Sequence, residues 1–182
     1  MIQDKTDLKK YLEEDAKSLN MKGNIKAFIF NDIWKFQRLL RKTEYHFNNN
    51  HKIRYLFLKV RLNALSTKLG FTIPLNVFGP GLSIAHRGTI VVNGHAKIGS
   101  NCRIHVCVNI GASATCSTAA PTIGDNCYIG PGAKLYGDIL LGEHVAIGAN
   151  SVVNKSFPDG HCIVAGVPAK IISNKHLDRN IE

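Results

Sequence analysis

A bulky aliphatic residue returns every six positions: Ile98, Ile104 and Ile110, then Ile123, Ile129, Leu135, Leu141, Ile147 and Val153. Glycine follows it at Gly99, Gly111, Gly124, Gly130, Gly142 and Gly148. Four residues after it stands a small or β-branched side chain, as in Cys102, Val108, Ala114, Cys127, Ala133, Ile139, Val145 and Ser151. Neither a helix, with its period of 3.6, nor an alternating strand, with its period of 2, yields a strict period of six. A repeated hexapeptide predicts a mainly β chain, a parallel β-helix in which each turn buries its apolar side only by stacking on the next.

At 182 residues the chain fits one domain with a small appendage. No apolar run reaches the roughly 18–20 residues of a membrane span, and the opening MIQDKTDLKKYLEEDAK is too charged for a secretory signal. Five cysteines are an odd number. Cys102 and Cys127 share the small-residue slot of the repeat and read as core filler. That points to a reducing, cytoplasmic setting without a disulfide framework. No Cys/His set has zinc spacing, so no metal is expected. The net charge of +10 is uneven: residues 1–70 carry 15 Lys/Arg against 7 Asp/Glu, and residues 71–182 carry 8 against 6. No nucleic-acid motif accompanies the basic half. An anionic membrane surface or a phosphorylated ligand suits it at least as well.

Residues 1–70 read as helical. Asp4 or Thr6 caps a first helix running to about Ser18. Ala27 to about Phe47 has apolar residues at three- and four-residue spacing, including Phe28, Ile29, Ile33, Phe36, Leu39 and Leu40. Asn48-Asn49-Asn50 breaks it. His51 to Leu69 follows, with Ile53, Leu56, Phe57, Val60, Ala64 and Leu65 as one stripe and Gly70 as its stop. The plain expectation is a helical cap whose apolar stripe packs on the β-helix or on a neighbouring subunit. The sharper one is a basic amphipathic helix making peripheral contact with an anionic membrane. His46 and His51, five apart, share no helix face and predict no metal pair.

Composition changes at Gly70, so the expected division is a helical region over 1–70, a β-helix over 71–172 and a polar tail over 173–182. The repeat has two faults. Phe78 and Ile84 keep phase, but the next in-phase aliphatic is Val92, eight residues on; the slip lies within Ala85-His86-Arg87-Gly88-Thr89. Between Ile110 and Ile123, thirteen residues stand where two repeats would take twelve, around the small, polar segment SATCSTAAP. A solenoid gains nothing by interrupting its own stacking, so such breaks are where function is grafted.

The hexapeptide array, the segment GPGLSIAHRGTIVVNGHAKIG and the ending IGANSVV…VAGVPAKII resemble serine O-acetyltransferases and related O-acetyltransferases of surface-polysaccharide biosynthesis. The resemblance spans about residues 70–172. It implies a left-handed β-helix, a homotrimer, and acetyl-CoA as co-substrate lying between subunits. It also implies His86 as the catalytic base, within the slip that the repeat alone reveals. A neutral imidazole takes the proton of a hydroxyl as that hydroxyl attacks a thioester; backbone N–H groups near Gly111 and Ala112 are candidates to hold the oxyanion. Family matches place Ala112, Pro131 and Ala149 along the pantetheine channel, and Lys170 and Lys155 suit the phosphates of CoA. His105, His95 and Arg87 are candidate acceptor-site residues. His144 and His161 read as exposed.

The sequence departs from serine acetyltransferases where they carry an Asp immediately before the catalytic His (here Ala85), an Asp fifteen residues before it (here Phe71), and an Arg-His pair before the Pro that re-enters the repeat (here Ala119-Ala120). Those groups hold the charged ends of serine, at roughly 1.5–3 kcal/mol per charge-assisted contact. Their loss favours an uncharged acceptor, a sugar hydroxyl of a surface polysaccharide or its precursor. The alternative is serine itself, giving O-acetylserine for cysteine biosynthesis. A hydratase of the γ-carbonic-anhydrase kind would need a closely spaced His pair near His86 or His105, and a scaffold or ice-binding β-helix would need Thr ladders; the sequence has neither.

Overall fold

The computed structural model of the chain describes residues 1–21 and 31–175. Among them are three helices, α1 (Lys5–Ser18), α2 (Asp32–Asn48) and α3 (Lys52–Leu69). Asp4 caps α1 by accepting the Asp7 N–H at 2.8 Å, and Asn31 caps α2 by accepting the Trp34 N–H at 3.0 Å. The expected helix start at Ala27, with Phe28 and Ile29, lies outside the described residues. Gly70 ends α3 in the left-handed region at φ 79°, as its lack of a Cβ permits.

Short strands follow: β1 (Phe71–Thr72), β2 (Ser83–Ile84), β3 (Ile90–Val92), β4 (Lys97–Ile98), β5 (Arg103–Ile104), β6 (Val108–Gly111), β7 (Thr122–Ile123), β8 (Tyr128–Ile129), β9 (Lys134–Tyr136), β10 (Leu140–Leu141), β11 (Ala146–Ile147), β12 (Val152–Val153), β13 (Ile163–Gly166) and β14 (Ala169–Ser173). They form three faces of a prism. Face A is β1-β3-β6-β9-β12, face B is β4-β7-β10, and face C is β2-β5-β8-β11-β13-β14. Every pairing is parallel except β13 with β14. This is the left-handed parallel β-helix. Each hexapeptide makes one face, and its aliphatic residue points inward. Ile84, Ile104, Ile129, Ile147 and Val164 make one column on face C, each no more than 1% exposed. Burying each such side chain stabilises the stack by about 1.5–3 kcal/mol. Cys102 and Cys127 are buried between coils, and their thiols donate to the carbonyls of Gly124 and Gly142 at 3.3 Å.

The two faults have a simple geometry. Ile84 pairs with Ile104, yet Ile90 pairs with Val108. The coil therefore carries two extra residues at the C-to-A corner, and they are His86 and Arg87. The second fault is larger than its spacing suggests. Ile110 on face A and Ile123 on face B are consecutive inward positions. Thirteen residues thus replace one step of six, not two, and a loop of seven extra residues leaves the A-to-B corner.

Within the chain, the helical cap packs on the β-helix through a different face of α3 from the expected stripe. Leu62 and Leu69 are buried and Leu65 packs against the core, whereas Ile53, Leu56, Phe57 and Val60 are 87, 64, 61 and 62% exposed. The helix is apolar on two opposite sides, and within the chain it packs through one of them. His46 and His51 also meet after all, Nδ1 to Nδ1 at 3.0 Å, because the turn at Asn49 and Asn50 folds α3 back on α2.

A stacked β-helix has an open end, and side chains from the cap close it. Arg41, fully buried, reaches Asp15 (2.8 Å), Glu44 (3.1 Å) and the carbonyls of Phe78 (3.0 Å) and Gly79 (2.7 Å). Asp15 accepts the N–H groups of Gly81 and Leu82, both at 2.9 Å, and Glu44 accepts that of Asn76 at 2.8 Å. Gln37 donates to the carbonyl of Leu82 at 2.7 Å, and Ser18 to that of Gly81 at 3.0 Å. Burial pushes the Glu44 carboxyl up, opposed by the Arg41 charge. The first coil's edge is thus satisfied without a further strand. Arg41→Met should lower stability by about 3–5 kcal/mol, since it leaves buried carboxylates unpaired. Replacing Asp15, Arg41 and Glu44 together by apolar residues should also destabilise, because the edge's backbone groups lose their partners; urea denaturation of both variants measures this.

Candidate active site

The C-to-A corner gathers most of the residues singled out in the sequence. Coil by coil, the edge carries His86 and Arg87, then Val106, Pro131, Ala149 and Gly166, since Ile104, Ile129, Ile147 and Val164 stack in register just before it. His86 and Arg87 stand out from it, exposed. The chain can push out there because Gly88 takes up the slack at φ +131°, where a Cβ would lie 2.5 Å from Val106 Cγ2. Lys170, on β14 opposite Ala165, lies at the far end of the same edge.

His105 occupies the position stacked on Ala85, one coil along, and its ring centroid lies 6.0 Å from that of His86. The Tyr128 ring is 4.9 Å away on the other side. Arg103 Nε donates to His105 Nε2 at 3.4 Å, and Arg103 Nη1 donates to Ser83 Oγ at 3.0 Å. Ser83 Oγ in turn donates to the Ser18 carbonyl at 3.2 Å. With Nε2 accepting, a neutral His105 carries its proton on Nδ1. Sequence reasoning missed Arg103 and Tyr128. The signal was there in principle, because Ser83, Arg103 and Tyr128 share one register position on successive coils of face C.

The other candidates lie on the A-to-B corner. Gly111 ends β6 and Ala112 opens the seven-residue excursion. His95 is exposed on this corner, beside Asn93, whose side chain donates to the Ser117 carbonyl at 3.5 Å. Lys155 is exposed just after β12. Within one chain, face A separates this group from His86. His144 and His161 belong to a third corner, where their rings stack at 4.9 Å; His144 also meets the Asn126 amide and His161 meets Glu143, each at 3.3 Å. His161 is exposed as expected, whereas His144 is half-buried in this stack.

The positions where the resemblance implies Asp hold apolar side chains. Phe71 is buried and packs edge-on against Phe36, ring centroids 5.0 Å apart. Ala85 has no polar side chain, and Ala120 is buried. Arg87 meets the carboxylate of Asp32 of α2 at 3.9 Å. Among the described residues, no group of three or more His, Cys, Asp or Glu is placed to hold a metal ion.

Comparison with known proteins agrees with this architecture. Residues 120–155 match the family model for bacterial transferase hexapeptide (six repeats). The serine acetyltransferase of Helicobacter pylori J99 is 35% identical over 126 residues, covering 68% of this chain and 73% of that one. The chain belongs to the serine acetyltransferase family. It spans only part of other members, 38% of the Synechococcus elongatus protein and 49% of the Haemophilus influenzae one. The crystal structure of Neisseria gonorrhoeae serine acetyltransferase superposes with a TM-score of 0.77 at 27% identity, covering 97% of this chain and 70% of that one. That protein has also been solved in complex with serine, and another serine acetyltransferase, 26% identical with a TM-score of 0.74 over 92% of this chain and 71% of that one, in complex with CoA.

Gly88→Ala combines a strained φ with a clash and should cost about 1–3 kcal/mol. Adding Val106→Ala should recover only part of the loss in melting temperature, because it relieves the clash and not the backbone strain.

Proposed function

We propose that this chain transfers the acetyl group of acetyl-CoA to a hydroxyl, with His86 as general base. What carries the reading is a solvent-facing imidazole, pushed out of a regular β-helix by a two-residue insertion, in a family whose members include a CoA complex. His86 takes the acceptor's proton as the hydroxyl oxygen attacks the thioester carbonyl. The tetrahedral intermediate collapses, and the imidazolium returns the proton to the departing CoA thiolate. The reaction needs no covalent enzyme intermediate. The C-to-A edge supports the cofactor assignment: five strand spacings of about 4.8 Å separate the coil of His86 from β14, which bears Lys170. An elongated cofactor laid along Pro131 and Ala149 has its thioester at one end and its phosphates at the other.

The site is incomplete in one copy, which supports a homotrimer. Gly111, Ala112, His95 and Lys155 lie on the A-to-B corner, across face A from His86. A ring of copies sets one chain's C-to-A edge beside the next chain's A-to-B corner, and closing that groove removes water from the thioester. His105 takes over the part of the missing Asp before His86. Its Nδ1–H, oriented by Arg103, polarises the acceptor oxygen or braces the His86 ring.

The relatives' names favour L-serine as the acceptor, and so support the alternative read from the sequence better than the sugar reading. One observation favours the second reading, an uncharged sugar hydroxyl: Phe71 sits in the core, and Ala85, Ala119 and Ala120 bring no charge to a zwitterion. Thiol release from acetyl-CoA, with L-serine against monosaccharide and nucleotide-sugar acceptors, decides between them; turnover of serine alone removes the sugar reading. In the same assay His86→Ala should lose about 10²–10⁴-fold in kcat. His105→Ala should lose less, and Arg103→Met should shift the pH profile of kcat while leaving the fold intact by circular dichroism. An active His86→Ala variant would overturn the mechanism.

A further inference from the structure

The cap carries a second surface that acetyl transfer does not use. Between α2 and α3 runs a groove of about 550 Å³. Lys35, Arg38 and Lys42 line it from α2, and Arg61 and Lys68 from α3. Leu39, Leu58 and Leu65 add apolar lining. Beside it lies the unused side of α3, with Ile53, Leu56, Phe57 and Val60 on one helical face, all more than 60% exposed. Helical rotation sets Arg54 and Arg61 along one flank of that face, and Lys52 and Lys59 along the other. The Arg61 guanidinium lies over the Phe57 ring at 5.5 Å, which joins the groove to the stripe.

The charge on this surface is predominantly positive. Helix α3, KIRYLFLKVRLNALSTKL, contains no acidic residue. On α2, Glu44 is buried on Arg41, and Asp32 sits at one end, engaged by Lys68 at 3.2 Å and Lys35 at 3.3 Å. A two-fold contact between copies through this face would set cation against cation. A nucleic acid would match the cations but not four exposed aliphatic and aromatic side chains on a helix. A membrane interface matches both, since acyl chains receive the stripe and anionic headgroups receive the flanking Lys and Arg.

We infer that the α2–α3 surface docks this protein on an anionic phospholipid bilayer, with the α3 stripe at the acyl boundary and headgroup phosphates in the basic groove. Arg87 shares Asp32 with Lys68, so the groove ends beside the residue that follows His86. Docking by this face therefore holds the His86 edge close to the bilayer.

Flotation of the full chain with phosphatidylglycerol-containing vesicles, and with pure phosphatidylcholine vesicles, tests the inference without any acetyl donor. It is thus independent of the acetyl-transfer reading. The expected result is binding to the anionic vesicles only. It should weaken by about tenfold or more in Lys42→Glu/Arg61→Glu, through lost headgroup attraction, and equally in Leu56→Ser/Phe57→Ser. Both variants should keep the parent's helical circular dichroism and its mass by light scattering. No binding to anionic vesicles overturns the inference, as does equal binding to both vesicle types. A lower mass for Leu56→Ser/Phe57→Ser would make the stripe an interface between copies, and binding of a single-stranded oligonucleotide in preference to the vesicles would make the groove a nucleic-acid site; each overturns it too.

Discussion

The open edge of the first coil is the constraint on which the rest of the structure depends. A β-helix satisfies its backbone by stacking, so its first coil has carbonyl and N–H groups that no strand can meet. Here Asp15, Ser18, Gln37, Arg41 and Glu44 meet them from two helices. Burying three charges carries a large desolvation cost. It is offset because each charge binds the edge as well as its partner. The same contacts locate Leu82 to Ile84, and so the point from which Ala85 and His86 leave the sheet.

The two interruptions of the repeat cost little because both fall at corners. Ile84 still pairs with Ile104 before the insertion, and Ile90 with Val108 after it. The ladders on both sides remain whole, and the inserted residues carry side chains outward. A corner of a stacked fold can therefore take new chemistry without disturbing the core, the same separation of scaffold and site found in loops on rigid frames.

The chain keeps its family's architecture, and the surroundings of His86 differ from those that the resemblance implies. Where a carboxylate is expected before His86 there is Ala85, and the imidazole of His105 stands over that place instead, fixed through Arg103 and Ser83. Where another is expected, Phe71 packs on Phe36. A histidine paired with an arginine presents a donor to an acceptor oxygen; a carboxylate pair presents charge to an ammonium group. That difference in chemistry is why family membership and acceptor identity are separate questions here.

Sequence alone determined what depends on consecutive residues. The period of six dictated the prism, Asp4 and Gly70 marked helix ends, Cys102 and Cys127 were placed in the core, and the slip after Ile84 exposed His86. Tertiary structure decided what depends on elements far apart in the chain. Arg41 meets Asp15 across 26 positions, and Asp15 meets Leu82 across 67. No local pattern signals which helix will cover the open end. Helix α3 shows the same limit from the other side: it has two apolar faces, and only packing chose Leu62 and Leu69 over Ile53 and Phe57. The loop after Ile110 shows it again, since thirteen residues read equally well as two repeats or as one with an excursion until the strands on faces A and B are paired. Periodicity records which way a side chain points along its own element; what it meets is set by the free energy of the whole assembly.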